Sequence, residues 1–111
     1  MVVADILELG DHSREIHFEL GKYIASCKVD VVISIGNYSK HICESIKMSN
    51  DNIETYIFDS NDDAYVKLLQ IFQNNDKILV KGSRRMRTDE IVDKIKKKFG
   101  EVIRNESVEK D

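Results

Sequence analysis

The chain has 111 residues, 41% of them hydrophobic and 33% charged, and it contains no proline. That length and balance fit one compact domain with its own core, and they argue against intrinsic disorder. The formal net charge of −3 argues against a general nucleic-acid or membrane-surface binder, which carries a clear basic excess. No apolar run approaches the roughly 20 residues of a membrane span, and no signal-peptide pattern opens the chain, so the expected compartment is the cytoplasm.

In chain order, four short apolar runs alternate with four amphipathic segments. Met1-Val2-Val3 reads as the end of a strand clipped by the chain start. Ser13 to Cys27 reads as a helix with Ile16, Leu20, Ile24 and Cys27 on one face, and with Asp11 or Ser13 as its N-cap. Asp30 to Ile35 is a continuous β-branched run, as expected for a parallel strand covered on both faces. Gly36 ends it, and Asn37 or Ser39 starts a helix that turns Ile42, Cys43 and Ile46 inward. Glu54 to Phe58 is the third strand, closed by Asp59-Ser60-Asn61. The following helix is expected to bury Tyr65, Leu68, Leu69 and Phe72 and to end in the turn Asn74-Asn75-Asp76.

Lys77 to Val80 is the fourth strand, and Thr88-Asp89-Glu90 caps a last helix whose lysines crowd its C-terminal half. The domain is expected to span residues 1–104, with a polar tail over 105–111. Cys27 and Cys43 both fall in helical patterns and read as reduced, buried thiols. Strand–helix alternation with connections of this length implies parallel strands and right-handed crossovers. The fold class is therefore α/β: a three-layer sandwich, mainly a parallel Rossmann-like sheet with helices on both faces and a truncated first strand.

Ligands of such sheets bind beyond the carboxyl ends of the strands. Four loops are expected there: Asp5 to Ser13, Gly36 to Ser39, Asp59 to Asn61 and Lys81 to Arg87. The last is the most informative. A strand empties into a Gly-Ser loop carrying three arginines, and the loop opens a helix, an arrangement suited to a carboxylate or a phosphate. In this reading Ser83 donates its hydroxyl, Gly82 permits close backbone approach, Arg84 binds a carboxylate bidentately, and Arg85 and Arg87 face solvent. A solvated basic turn is the alternative.

Asp5 also has two readings, as an acceptor for a ribose or a metal-bound phosphate and as a turn and capping residue. His12, His17 and His41 show no metal-ligand spacing, and no nucleophile sits in a recognisable strained turn, so neither a metal site nor a catalytic residue is assigned. The Walker A spacing and the dinucleotide fingerprint are both absent.

Read together, three blocks resemble one known pattern: Ala4-Asp5-Ile6-Leu7-Glu8-Leu9-Gly10 with Ser13 and His17; Ile35-Gly36 with Ser39; and Val80-Lys81-Gly82-Ser83-Arg84 with Met86 and Glu90. They look like the C-terminal domain of the Mur ligase family, on the branch that adds D-alanyl-D-alanine in peptidoglycan synthesis. The resemblance runs from about residue 2 to residue 98. Ala4 stands where the family usually has Gly, and Ile6 where Met is common.

The resemblance implies a domain that closes over a central domain while ATP phosphorylates the carboxylate of a UDP-muramoyl-peptide and an amine attacks the acyl phosphate. Lys81, Gly82, Ser83 and Arg84 then fall in the loop expected to receive the carboxylate of D-alanyl-D-alanine, and Asp5 and Asn37 on the nucleotide side. ATP and Mg2+ are expected to be held mainly by a domain this chain lacks, so the chain alone is expected to be inactive. Its implied partners are the N-terminal and central ligase domains. A rival reading is a free-standing α/β module that binds a small anion or nucleotide. A receiver-like signalling domain would use Asp5, Asp59 and Lys81, but the paired acids expected at the first strand end are missing.

Overall fold

The structure is a computed structural model, and it describes residues 1–99; the polar tail expected over 105–111 lies outside the described residues. Four strands and four helices alternate: β1 Val2–Ala4, α1 Ser13–Ala25, β2 Val31–Ile35, α2 Lys40–Ser49, β3 Glu54–Phe58, α3 Asn61–Ile71, β4 Val80–Lys81 and α4 Asp89–Phe99. All pairings are parallel and the strand order is β3-β2-β1-β4. The sheet is the parallel one expected from the β-branched runs, because Val2, Val3, Val32, Ile33 and Ile35 are all buried.

Strand alternation sends neighbouring side chains to opposite faces. Val2, Ala4, Ile33 and Ile35 pack with Leu68 of α3 and with Ile91 and Ile95 of α4. Val3 and Val32 pack on the other side with Ile24 of α1 and with Ile42, Cys43 and Ile46 of α2. Two helices therefore cover each face.

Three expectations are corrected. The inward face of α1 is Ser13, His17, Gly21, Ile24 and Ala25, whereas Ile16 is 41% exposed. The stripe turns because the imidazole of His17 is drawn inward by backbone partners, which apolar periodicity cannot register. Helix α1 begins at Ser13 out of a 3₁₀ turn over Gly10–His12, with His12 at the cap position and no side-chain capping bond, so neither Asp11 nor Ser13 is the cap. Cys27 lies beyond the end of α1 and is exposed; its thiol donates to the Tyr23 carbonyl (3.4 Å). Cys43 is buried as expected, and burial pushes its thiol pKa up.

In α3 the deepest side chains are Ala64 and Leu68, while Tyr65 and Phe72 are half-buried against the same core. Ser60 caps α3 by accepting from the Asp63 N–H (3.2 Å). Strand β4 is only two residues long, Val80–Lys81, where a strand over Lys77 to Val80 was expected.

Candidate functional site

The chain moves outward from β1 to β2 to β3 with α1 and α2 on one face, then returns to the far side of β1 through α3. The reversal puts a topological switch point between β1 and β4, where a crevice opens at the carboxyl ends of the strands. The loops after β1 and β4 form its walls.

These walls are joined by long-range hydrogen bonds. The Ser83 N–H donates to the Asp5 carbonyl (3.1 Å), and the Leu7 N–H donates to Ser83 Oγ (2.9 Å). Because Leu7 occupies one lone pair of that hydroxyl, its own proton remains available to a ligand oxygen. Across the rim Arg85 Nη2 pairs with Glu8 Oε1 (2.9 Å). Glu8 has a left-handed backbone (φ 64°), an uncommon state for a side-chain-bearing residue.

Asp5 is the hub of the third loop. Its carboxylate accepts from the N–H groups of Asn37 (3.1 Å), Tyr38 (3.0 Å) and Ser39 (2.7 Å), and the residue is 5% exposed. The negative charge thus sits where the turn into α2 presents unpaired N–H groups. Gly36 makes this approach possible: its φ is +116°, and a Cβ there would stand 2.5 Å from Asp5 Oδ1. Ser39 does not cap with its side chain; its hydroxyl donates to the Ile35 carbonyl (2.7 Å).

His17 fixes the loop after β1 from below. Its Nε2 accepts from the Ile6 N–H (3.0 Å), which requires the proton to be on Nδ1, and Nδ1 donates to the Ser13 carbonyl (2.6 Å). The imidazole is fully buried. The loop Asp59 to Asn61 joins through Asn61, whose amide donates to the carbonyls of Met86 (2.9 Å) and Arg87 (3.2 Å).

The structure therefore brings together the residues singled out after β1, β2 and β4, in unequal states. Asp5 is buried and holds its own backbone; its three acceptor bonds carry Asn37, an exposed residue, at the edge. Gly82 is buried, and a Cβ there would meet Ala4 Cβ at 2.8 Å, so its smallness serves strand-to-loop packing. Lys81 and Arg84 are exposed. Arg85 and Arg87 are not simply solvated: Arg87 Nη2 pairs with Glu90 Oε2 (3.1 Å) as Arg85 does with Glu8. The Arg84 guanidinium has no carboxylate partner among the described residues.

His17, singled out in the first block but given no role, and Asn61, named only as a loop end, are positioning residues. The Ser13–His17 spacing of one helical turn was the available signal for the first. A cavity of about 540 Å³ lies elsewhere: it opens at the amino ends of the strands, beside Val31, Leu68, Phe72 and Ile78. Its lining also carries Lys28, Asp30, Asp76, Lys77 and the Met1 amine, but it lies at the amino ends of the strands, whereas sheets of this kind bind ligands beyond the carboxyl ends. Among the described residues no group of three or more His, Cys, Asp or Glu could hold a metal ion, and no helix is long and apolar enough to cross a membrane.

Known proteins share this fold and much of its sequence. A UDP-N-acetylmuramoyl-tripeptide--D-alanyl-D-alanine ligase of Haemophilus influenzae is 35% identical over 102 residues, covering 89% of this chain and 21% of that protein. The ligase of the same name from Rickettsia prowazekii is 30% identical over 92 residues, covering 83% and 20%. A crystal structure of MurF from Acinetobacter baumannii superposes with a TM-score of 0.75 at 25% identity, over 87% of this chain and 22% of that one. The chain thus spans about a fifth of the length of the relatives it matches. Residues 1–84 match the family described as Mur ligase, glutamate ligase domain, and the chain belongs to that family.

Proposed function

We propose that this chain is the C-terminal, substrate-closing domain of an ATP-dependent ligase that adds D-alanyl-D-alanine to a UDP-muramoyl-peptide in peptidoglycan synthesis, and that it is inactive alone. The reading places it in the cytoplasm, working with N-terminal and central domains that complete the site. Its support is one observation in a member of this family: the exposed Arg84, without a carboxylate partner among the described residues, at a crevice where Asp5, Glu8 and Arg85 are already engaged.

In this reading Lys81 and Arg84 supply positive charge and the Ser83 hydroxyl supplies a proton to the carboxylate of the incoming dipeptide. Holding that end leaves the amino group of D-alanyl-D-alanine pointing out of the crevice, toward the activated muramoyl carboxyl carried by the rest of the enzyme. The gain is one of proximity and orientation. Gly82 lets the loop lie against Ala4. Asp5 acts through the turn it holds, setting Asn37 on the nucleotide side. ATP supplies the activation of the carboxyl, and Mg2+ its charge neutralisation; the described residues offer no ligand cluster for the metal, which falls to the other domains.

An Arg84→Ala exchange in the full-length ligase is expected to raise KM for the dipeptide roughly 10-fold or more, the loss of one charge-assisted hydrogen bond of ~1.5–3 kcal/mol. An unchanged KM would remove Arg84 from the site. The isolated chain, given ATP and both substrates, is expected to form no product; turnover by it would overturn the reading.

A further inference from the structure

Among the described residues, seven large hydrophobic side chains are exposed: Ile16, Tyr23, Tyr38, Met48, Ile57, Val66 and Phe99. Six of them lie on helices or strands. Tyr38 alone sits in a carboxyl-edge loop, beside the crevice. It is also unusually well supported. Its N–H donates to Asp5 Oδ1 (3.0 Å), and its ring stacks on His17 with centroids 5.9 Å apart and planes 28° from parallel. His17 is itself fully buried and fixed through both ring nitrogens. One ring face is therefore backed by a rigid imidazole, while 43% of the residue remains open to solvent.

We propose that Tyr38 is a stacking platform for a planar heteroaromatic ring, the nucleobase of a nucleotide bound at this edge. An aromatic ring held flat before ligand arrives loses little freedom on binding, and every base offers it a π-face. A dipeptide offers none. Asp5 bonds Tyr38 through its side chain and Ser83 through its carbonyl, so platform and anion loop are tied to one residue. The proposal rests on the ligase reading for the presence of a nucleotide at this edge and adds the residue that grips its base.

The test is an NMR titration of this chain with adenosine, which lacks phosphate, to roughly 10 mM. Saturable ring-current shifts are expected on the Tyr38 ring and on the amides of Asn37 and Ser39. Tyr23, 69% exposed on α1, is the internal control and should shift far less. Tyr38→Phe should retain binding, and Tyr38→Ser should weaken it roughly 10-fold. A silent Tyr38, or equal shifts at Tyr23, overturns the platform. Should Tyr38→Ser fail to fold, the Tyr23 control and Tyr38→Phe still decide. A parallel titration with D-alanyl-D-alanine separates the two claims. Dipeptide shifts at Gly82–Arg84 with a silent Tyr38 sink the platform alone, and a responsive Tyr38 with no dipeptide effect sinks the dipeptide site alone.

Discussion

The loops after β1 and β4 face each other across one crevice, yet Asp5 and His17 on one side and the basic side chains on the other do opposite things. After β1 they turn inward: Asp5 accepts three backbone N–H groups, and His17 receives the Ile6 N–H from beneath. After β4 they turn outward: Lys81, Arg84, Arg85 and Arg87 are all exposed. Under the proposed function, the residues at these strand ends divide into those that build the site and those left to hold the ligand. Asp5, with three backbone partners, stands for the first kind and Arg84, with no carboxylate partner among the described residues, for the second.

The comparison breaks most visibly at Asp5. Asp5→Ala would leave three N–H groups facing a void and is expected to cost about 3–5 kcal/mol by chemical denaturation. A loss below about 1 kcal/mol would mean that the carboxylate is not the builder it is taken to be. His17→Phe keeps the volume and the stacking against Tyr38 but removes the acceptor for Ile6. About 1–3 kcal/mol should be lost, with faster hydrogen exchange at the Ile6 amide. Exchange unchanged at Ile6 would show that the loop does not depend on the imidazole. On the β4 side, Arg84→Ala should move stability by less than about 0.5 kcal/mol, because an exposed side chain without such partners supports nothing in the fold.

The same division explains what could be read from the sequence. The strands were legible because β-branched runs between turn signals need no distant information; Glu54–Phe58 was expected with the bounds that the structure gives it. The place of the loop after β4 was legible because it follows from strand-to-helix order. The inner face of α1 was not, since a histidine reads as polar until its two backbone partners are known. Likewise Asp5 and Ser83 take their roles from partners 32 to 34 and 76 residues away in sequence. Local spacing cannot state such pairings. Cys27 was misplaced for a simpler reason: α1 stops at Ala25, so the last position of the expected stripe is not helical.

The most direct test of the builder–holder division is an NMR titration of this chain and of its Arg84→Ala variant with D-alanyl-D-alanine. The account predicts shifts concentrated at Gly82, Ser83 and Arg84, and roughly 10-fold weaker binding in the variant at unchanged stability. Shifts centred on the amino-end groove around Phe72 and Ile78, or binding indifferent to Arg84, would contradict it.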